Sequence, residues 1–259
     1  MRKLMEYHII SGRVVETRRS YLPCRGEPKK QRGTRRAGAS SEKKINLNER
    51  QEKQRLARIL NTNFEEGGYM ITLKYSGARL PESYDAAREE GEKLMRKMRL
   101  LCKKEGVELR RVLVTANWSP KRNGAARFHH HVVINRIPLS ILERLWPDGE
   151  MYIETLRAGD LSHLAAYLCD NVRLEEKGRK KWSPSRNLQK PIFTEPTPVQ
   201  QVDGIQAPEG AEEISQTPTY NEDGRQVGCY MRCTLPARPE IRGNRIYLKK
   251  AKRGGHKRE

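Results

Sequence analysis

The sequence predicts an α+β fold, in which helices back one face of an antiparallel sheet with the split βαβ arrangement. Runs with strand composition recur through the middle of the chain, runs with helical spacing lie between them, and turn-forming stretches separate the two kinds. Their order is strand, helix, strand, strand, helix, strand, helix. The first six elements make the ferredoxin-like split βαβ unit, and the last helix is an addition to it.

The predicted sheet begins at residues 69–75, Y-M-I-T-L-K-Y, which follow the glycine pair of a turn. A helix is predicted over residues 81–104, because apolar residues are spaced four and three apart there. These residues are Ala87, Gly91, Leu94, Met98 and Leu101. The face that they form is expected to pack on the sheet.

A hairpin follows, and a further helix and strand complete the unit. Residues 110–117 and 127–135 read as strands, joined by the turn-rich loop W-S-P-K-R-N-G-A-A. A short helix is expected after Pro138, and a strand at residues 151–155, M-Y-I-E-T. The added helix is predicted over residues 160–172.

Charge and composition divide the chain into four segments. Residues 1–60 are interpreted as a basic arm, flexible in its glycine-rich part and ending in a helix over 48–64, and residues 61–193 hold the sheet. Residues 194–224 contain no Lys or Arg but several acids and prolines, which predicts a solvated linker. Residues 225–259 are basic again.

The formal net charge of +20 and the pI near 10.0 are too one-sided for an ordinary enzyme of small metabolites. They indicate a polyanionic partner, with nucleic acid as the first candidate. No stretch approaches the length of a membrane span, so no membrane partner is expected.

The five cysteines show no C-x-x-C spacing and are odd in number, which argues against a disulfide framework. A reducing cytoplasm fits this pattern. Zinc held by Cys229, Cys233 and His256 is a disfavoured alternative, because no second cysteine pair accompanies these residues.

The stretch R-F-H-H-H-V-V-I-N places three histidines in a row on a predicted strand. Because neighbouring residues of a strand point to opposite faces, His129 and His131 share one face and His130 takes the other. The Cα atoms of the pair lie about 7 Å apart, so their imidazoles can converge on one metal ion. His130 is expected on the helix-covered face, partly buried and with a hydrogen-bond partner.

The third metal ligand is the weakest part of this site. Antiparallel pairing is expected to place Thr115 and Asn117 beside His129, and either could add an oxygen ligand. A carboxylate would suit a hard divalent cation better, but none lies on this strand, so both Thr115 and Asn117 remain candidates. The competing interpretation of the two histidines is an uncommitted surface pair.

The helix predicted over residues 160–172 opens with Asp160 as its N-cap and carries one tyrosine. Tyr167 lies about 115° from the centre of the helix's apolar stripe, on its flank. The stripe consists of Leu161, Leu164, Ala165, Leu168 and Val172. The tyrosine either covers the edge of the core or supplies a phenol that attacks a metal-polarised phosphodiester.

The His-x-His strand and the downstream tyrosine resemble the HUH endonucleases, especially the rolling-circle replication initiators of bacterial plasmids, phages and integrative elements. The resemblance extends from Tyr7 to about Phe193. It includes the stretches Y-H-I-I-S-G-R-V-V-E, L-N-T-N-F, A-A-Y-L and K-W-S-P-S-R-N-L-Q-K-P.

The resemblance implies that His129 and His131 bind Mg²⁺ or Mn²⁺ and that Tyr167 is the nucleophile. The sequence departs from the family in having a histidine between the pair, in having Asn117 near the place of an acidic ligand, and in having Asp170 where a lysine is common. The positive charge of that lysine could come from Arg173, Lys177 or Lys181. The candidate DNA-binding residues are Arg127, Arg173, Lys177, Lys180, Lys181 and Arg186.

The function implied is a nick in single-stranded or hairpin origin DNA, which leaves a 5′-phosphotyrosine bond and a 3′-hydroxyl that primes a host DNA polymerase. No G-x-x-x-x-G-K-[ST] loop occurs, so unwinding is expected to need a host helicase. The alternatives are a non-catalytic nucleic-acid-binding protein, such as a decayed initiator, and a transposase or relaxase with the same chemistry.

Overall fold

The structure is a computed structural model of the protein. It describes residues 2–23, 42–64, 67–146, 149–174 and 179–248. The glycine-rich part of the expected arm (residues 24–41), Lys177 and His256 lie outside the described residues.

The chain forms two compact units, one from residues 1–39 and 191–259 and the other from residues 40–190. The helices are α1 (Glu42–Asn63), α2 (Tyr84–Lys104), α3 (Leu139–Glu143) and α4 (Ser162–Asp170). The strands are β1 (Arg2–Ser11), β2 (Val14–Pro23), β3 (Tyr69–Tyr75), β4 (Arg111–Ser119), β5 (Gly124–Ile134), β6 (Gly149–Thr155), β7 (Ser183–Pro184), β8 (Ile192–Phe193), β9 (Thr197–Pro198), β10 (Glu212–Tyr220), β11 (Gln226–Thr234), β12 (Glu240–Arg242) and β13 (Arg245–Tyr247).

The prediction of an α+β chain with antiparallel sheets is confirmed. None of the helices within the described ranges combines the length and the apolar character that crossing a bilayer requires.

The unit of residues 40–190 contains a five-stranded sheet in the order β6-β3-β5-β4-β7, in which all neighbours are antiparallel. The β4-β5 hairpin is tighter than the sequence predicts, because Trp118 pairs with Ala125 and Ser119 with Gly124. Its turn places Asn123 at a φ of 45°, a left-handed conformation that asparagine tolerates better than most residues. As a result, β5 begins at Gly124, three residues before the start of the expected strand.

Helices cover both faces of this sheet, not the single face that we expected. On one face α2 and α3 enclose a core of Ile71, Leu73, Leu94, Met95, Met98, Cys102, Leu113, Val132, Ile134, Ile141 and Leu142, among others. On the opposite face α1 and α4 enclose Leu56, Ala57, Leu60, Met70, Val112, Val114, Val133, Ala165, Leu168 and Val172, among others. The unbroken apolar runs V-L-V in β4 and V-V-I in β5 are typical of strands buried on both faces.

Helix α2 approaches the sheet closely at a glycine. The helix begins after Ser83, whose hydroxyl accepts the Ala86 N–H at 3.1 Å. A Cβ atom built on Gly91 would lie 2.8 Å from Cε1 of His130, a distance that carbon atoms do not tolerate. Glycine at position 91 thus makes room for the imidazole of His130 under the helix.

The unit of residues 1–39 and 191–259 contains a sheet in the order β10-β11-β2-β1-β8, with β9 also paired to β1, and a separate pair of β12 and β13. Residues 2–23, which we expected to be part of a basic arm, form the hairpin of β1 and β2 in this sheet. Cys229 and Cys233 are buried in its core, and burial raises the pKa of both thiols.

Residues 194–224 are not a solvated linker, since they contain β9 and β10. Every residue of β10 is exposed, so this strand buries almost no side-chain surface. It is held by main-chain pairing with β11. The composition of residues 194–224 excludes an element that packs apolar side chains into a core. It does not exclude a strand such as β10, which is stabilised by main-chain hydrogen bonds, and the prediction of a linker was wrong for this reason.

We predict that Gly91→Ala lowers the free energy of unfolding by about 1–3 kcal/mol, although alanine favours helices, because its methyl group overlaps the His130 ring. The check is urea unfolding of Gly91→Ala, His130→Ala and the double variant. The two effects should be less than additive, since removing the ring relieves the overlap. Additive effects would contradict the packing described.

Candidate active site

His129 and His131 lie on the sheet face that α1 and α4 cover, and their Nε2 atoms are 3.2 Å apart. The Nδ1 atom of His129 is 2.9 Å from the carbonyl oxygen of Arg127. A carbonyl oxygen only accepts, so Nδ1 carries the proton and Nε2 carries a lone pair. The Nδ1 atom of His131 is 3.1 Å from the hydroxyl of Thr72, which can accept its proton in the same way.

This pair fits a shared metal ion. Two nitrogen ligands about 2.1 Å from one ion and about 90–109° apart lie about 3.0–3.4 Å from each other. The observed separation of 3.2 Å falls in that range. Two lone pairs at this distance repel each other unless a cation or a proton lies between them, so the geometry has room for a shared cation.

Burial keeps both imidazoles neutral, as metal ligands must be. The pKa of His131 is lowered to about 3, chiefly by burial and also by the neighbouring His129 and His130. Burial also lowers the pKa of His129, with a smaller contribution from Lys74, while its bond to Arg127 opposes the shift. Near neutral pH the pair therefore offers lone pairs to a cation.

The structure does not bring Asn117 to the histidine pair. Its Oδ1 accepts the Arg173 N–H at 2.9 Å, and its Nδ2 donates to the Arg173 carbonyl at 2.8 Å. The regular part of the β4-β5 register pairs Ala116, not Asn117, with His129, so Asn117 lies one residue beyond the position opposite His129. Asn117 instead fastens β4 to the segment that follows α4.

No third His, Cys, Asp or Glu completes a metal-binding group among the described residues. Thr115 does not contribute either, because its hydroxyl lies 3.2 Å from Nδ1 of His130 on the other face of the sheet. The chain thus presents two nitrogen ligands, and the rest of a coordination sphere would come from water or from a ligand's oxygens.

Tyr167 reaches the histidine pair from α4. Its Oη is 3.5 Å from Nε2 of His131, and the two ring centroids are 5.3 Å apart. The side chain is 45% exposed, which separates it from the buried stripe of its helix. Burial, together with the charge of Glu154, raises the pKa of Tyr167, so the phenol holds its proton at neutral pH.

Helix α1 fixes the start of α4 and with it the position of Tyr167. The side chain of Asn61 accepts the Leu161 N–H at 2.8 Å and donates to Asp160 at 3.0 Å. The Asp160 carboxylate accepts the Ser162 N–H at 2.9 Å, so it caps the helix although Leu161 occupies the N-cap position.

Cations gather at the carboxyl end of α4, where the helix dipole favours them. Lys53 of α1 forms an ion pair with Asp170 at 2.7 Å. Lys181 donates to the Cys169 carbonyl at 3.2 Å. The sequence did not indicate Lys53, because its approach to Asp170 depends on how α1 packs against α4.

The candidate DNA-binding residues do not form one cluster. Arg173 lies over the Trp118 ring, 5.4 Å from its centroid, and is 3.7 Å from Glu49. Arg127 and Lys180 are exposed. Arg186 lines a separate groove of about 1090 Å³ beside α2, together with Arg96, Arg99, Lys103 and Arg111.

His130 is buried on the α2 face, and the prediction of a hydrogen-bonded histidine there is confirmed. Its Nε2 lies 2.6 Å from the Tyr75 hydroxyl and its Nδ1 3.2 Å from the Thr115 hydroxyl. Burial lowers the pKa of His130 to about 4, with a contribution from the charge of His129.

The chain matches no protein-family model, no curated protein and no solved structure.

We predict that Thr72→Val weakens Mn²⁺ binding about 10-fold, because the outer hydrogen bond that orients His131 is lost. Isothermal titration calorimetry of the purified protein measures this affinity. Thr115→Val is the matched control, because the Thr115 hydroxyl contacts His130 on the other face and should leave the affinity unchanged. Equal losses in both variants would contradict a specific role for Thr72.

The low pKa of His130 predicts acid destabilisation. The unfolded chain takes up the proton at the ordinary pKa of 6.5 and the folded chain only near 4, so stability is complete above pH 6.5 and falls between these values. Below about pH 4, protonation of His130 lowers the free energy of unfolding by about 3 kcal/mol in total. Urea unfolding at a series of pH values should show a shallower pH dependence for His130→Gln, and an unchanged slope would refute the assignment.

Proposed function

We propose that the protein is a metal-dependent endonuclease that nicks single-stranded DNA at a replication origin and initiates rolling-circle replication. The observation that carries the proposal is the approach of the Tyr167 hydroxyl to Nε2 of His131, which itself lies 3.2 Å from Nε2 of His129. A phenol beside a cation site is suited to attack on a phosphodiester. The net charge of +20 supports a nucleic acid as the substrate.

The topology of the unit of residues 40–190 supports the finer fold assignment. Its four long strands lie in the order β6-β3-β5-β4, with α2 between β3 and β4 in the chain and α3 between β5 and β6. This is the connectivity of the split βαβ, or ferredoxin-like, arrangement. The order of motifs on it, His-x-His on β5 and Tyr167 on α4, is the resemblance to the HUH endonucleases.

In the proposed reaction the Tyr167 hydroxyl loses its proton and its oxygen bonds to phosphorus. The bond from phosphorus to the 3′ oxygen breaks, and that oxygen takes up a proton to leave as a 3′-hydroxyl. A bound Mg²⁺ or Mn²⁺ would polarise the scissile phosphate. His129 and His131 would hold the ion, with orientation set by the Arg127 carbonyl and the Thr72 hydroxyl.

The 5′-phosphotyrosine bond retains the energy of the phosphodiester, so the same linkage can be resealed. The free 3′-hydroxyl would prime a host polymerase, and a host helicase would unwind the template. We place this activity in the cytoplasm, because the odd number of cysteines without C-x-x-C spacing argues against a disulfide framework.

Two observations favour a non-catalytic nucleic-acid-binding protein as the second candidate. The described residues offer no carboxylate to complete the metal site. Asp170 also neutralises Lys53, the cation nearest to it, so that charge is not free to stabilise a transition state. Binding through charge needs neither feature.

Tyr167→Phe separates the candidates, because it removes one oxygen and keeps the ring. The protein is incubated with Mn²⁺ and a pool of single-stranded hairpin oligonucleotides with randomised loops, and adducts are detected on a denaturing gel. We predict an adduct for the wild type, none for Tyr167→Phe, and undiminished adduct for the control Tyr220→Phe, whose exposed ring lies in the other unit.

Mass spectrometry of the digested adduct should place the nucleotide on the peptide containing L-A-A-Y-L-C-D, and sequencing of the bound DNA should define the nick. An adduct on another tyrosine would refute Tyr167 but keep the enzyme. Binding without an adduct, in both Mn²⁺ and Mg²⁺, would support the non-catalytic candidate.

A further inference from the structure

A group of three side chains lies beside the histidine pair on the same face of the sheet. Strand pairing aligns Tyr152 with Thr72 and His131, and Glu150 with Lys74 and His129. Strands lie about 4.8 Å apart, so β6 brings Tyr152 to about 10 Å from the His131 backbone. Tyr152 and Glu150 stand on β6, the edge strand of the sheet, and Lys74 stands on the neighbouring strand β3.

The three side chains hold one another in place. The Tyr152 hydroxyl donates to Glu150 at 2.7 Å, and the Lys74 ammonium is 3.6 Å from the same carboxylate oxygen. The ammonium also lies over the Tyr152 ring, 4.3 Å from its centroid. The arrangement fixes the ring and keeps a cation beside it.

The ring is nevertheless 48% exposed, although it is a large aromatic group on a sheet face. Its contacts do not serve the core, since Tyr152 belongs to none of the buried clusters of the described residues. An exposed, oriented ring next to an ammonium is what a single-stranded nucleotide needs, because its base stacks on the ring and its phosphate pairs with the cation.

We propose that Tyr152 and Lys74 form a nucleotide-binding subsite that holds one unpaired nucleotide of single-stranded DNA next to the histidine pair, with the base on Tyr152 and its phosphate at Lys74. The inference rests on the proposed function for its location beside the nick. Glu150 acts as a positioning residue, since it orients the Tyr152 hydroxyl and the Lys74 ammonium.

The test measures binding of a labelled oligothymidine by fluorescence anisotropy, with every variant made in the Tyr167→Phe protein so that no cleavage occurs. Tyr152→Ala should weaken binding about 5- to 150-fold, as loss of one stacked base does. Tyr152→Phe keeps the ring and should bind within about 2-fold of its parent. The control Tyr220→Ala removes an equally exposed ring from the other unit and should have no effect.

Lys74→Gln should act differently, lowering the slope of log affinity against log salt concentration by about 0.7, as the loss of one phosphate contact does. Lys93→Gln is its control, because Lys93 is a similarly exposed lysine paired with a glutamate on α2. Tyr152→Ala should leave the slope unchanged, so the two variants report base and phosphate separately.

Photo-crosslinking with 5-iododeoxyuridine in the oligonucleotide locates the base, and the cross-link should map to the peptide containing M-Y-I-E-T. The subsite is overturned if Tyr152→Ala binds as tightly as Tyr220→Ala, if Tyr152→Phe loses as much affinity as Tyr152→Ala, or if the cross-link maps only elsewhere. Because no nick is needed, a subsite found without any tyrosine adduct would reject the nicking function and keep the inference.

Discussion

The arrangement depends on one constraint, the alternation of side chains along β5 in a sheet that is covered on both faces. Three adjacent histidines are divided between two environments by the period of the strand. His130 enters the core under α2, where a glycine and the Tyr75 hydroxyl accommodate it. That placement fixes the backbone of β5, so His129 and His131 emerge together on the other face. A slip of one residue would place His129 and His131 on the α2 face and His130 on the face that α1 and α4 cover.

The electrostatics of the candidate site follow from this division. Burial keeps the histidine pair neutral, with the two Nε2 atoms 3.2 Å apart. The half-exposed phenol of Tyr167 lies beside His131. The cations near the site are each held by a partner, Lys53 by Asp170 and Lys74 by Glu150. The site therefore combines two nitrogen ligands for one cation with two lysines that are each paired with a carboxylate.

Local patterns were sufficient where one segment determines its own structure. The strand at residues 69–75, the sharing of a face by His129 and His131, and the hydrogen-bonded burial of His130 could all be read from spacing. The misplacement of Asn117 shows the limit, because strand register decides which residue of β4 lies opposite His129, and composition does not specify register. Strand β10 shows another limit, since it is ordered by backbone pairing with a strand that follows it in the chain.

The sequence by itself determined the α+β character, the basic charge and the order of the histidine and tyrosine motifs, because each depends on residue type and local period. Only the tertiary structure decided that α1 joins α4 on the histidine face, that Thr72 lies beside His131, that Lys53 pairs with Asp170, and that Lys74 and Tyr152 align with the pair. These relations join residues far apart in the chain. They arise from helix packing and strand register, which the pattern of any one segment does not specify.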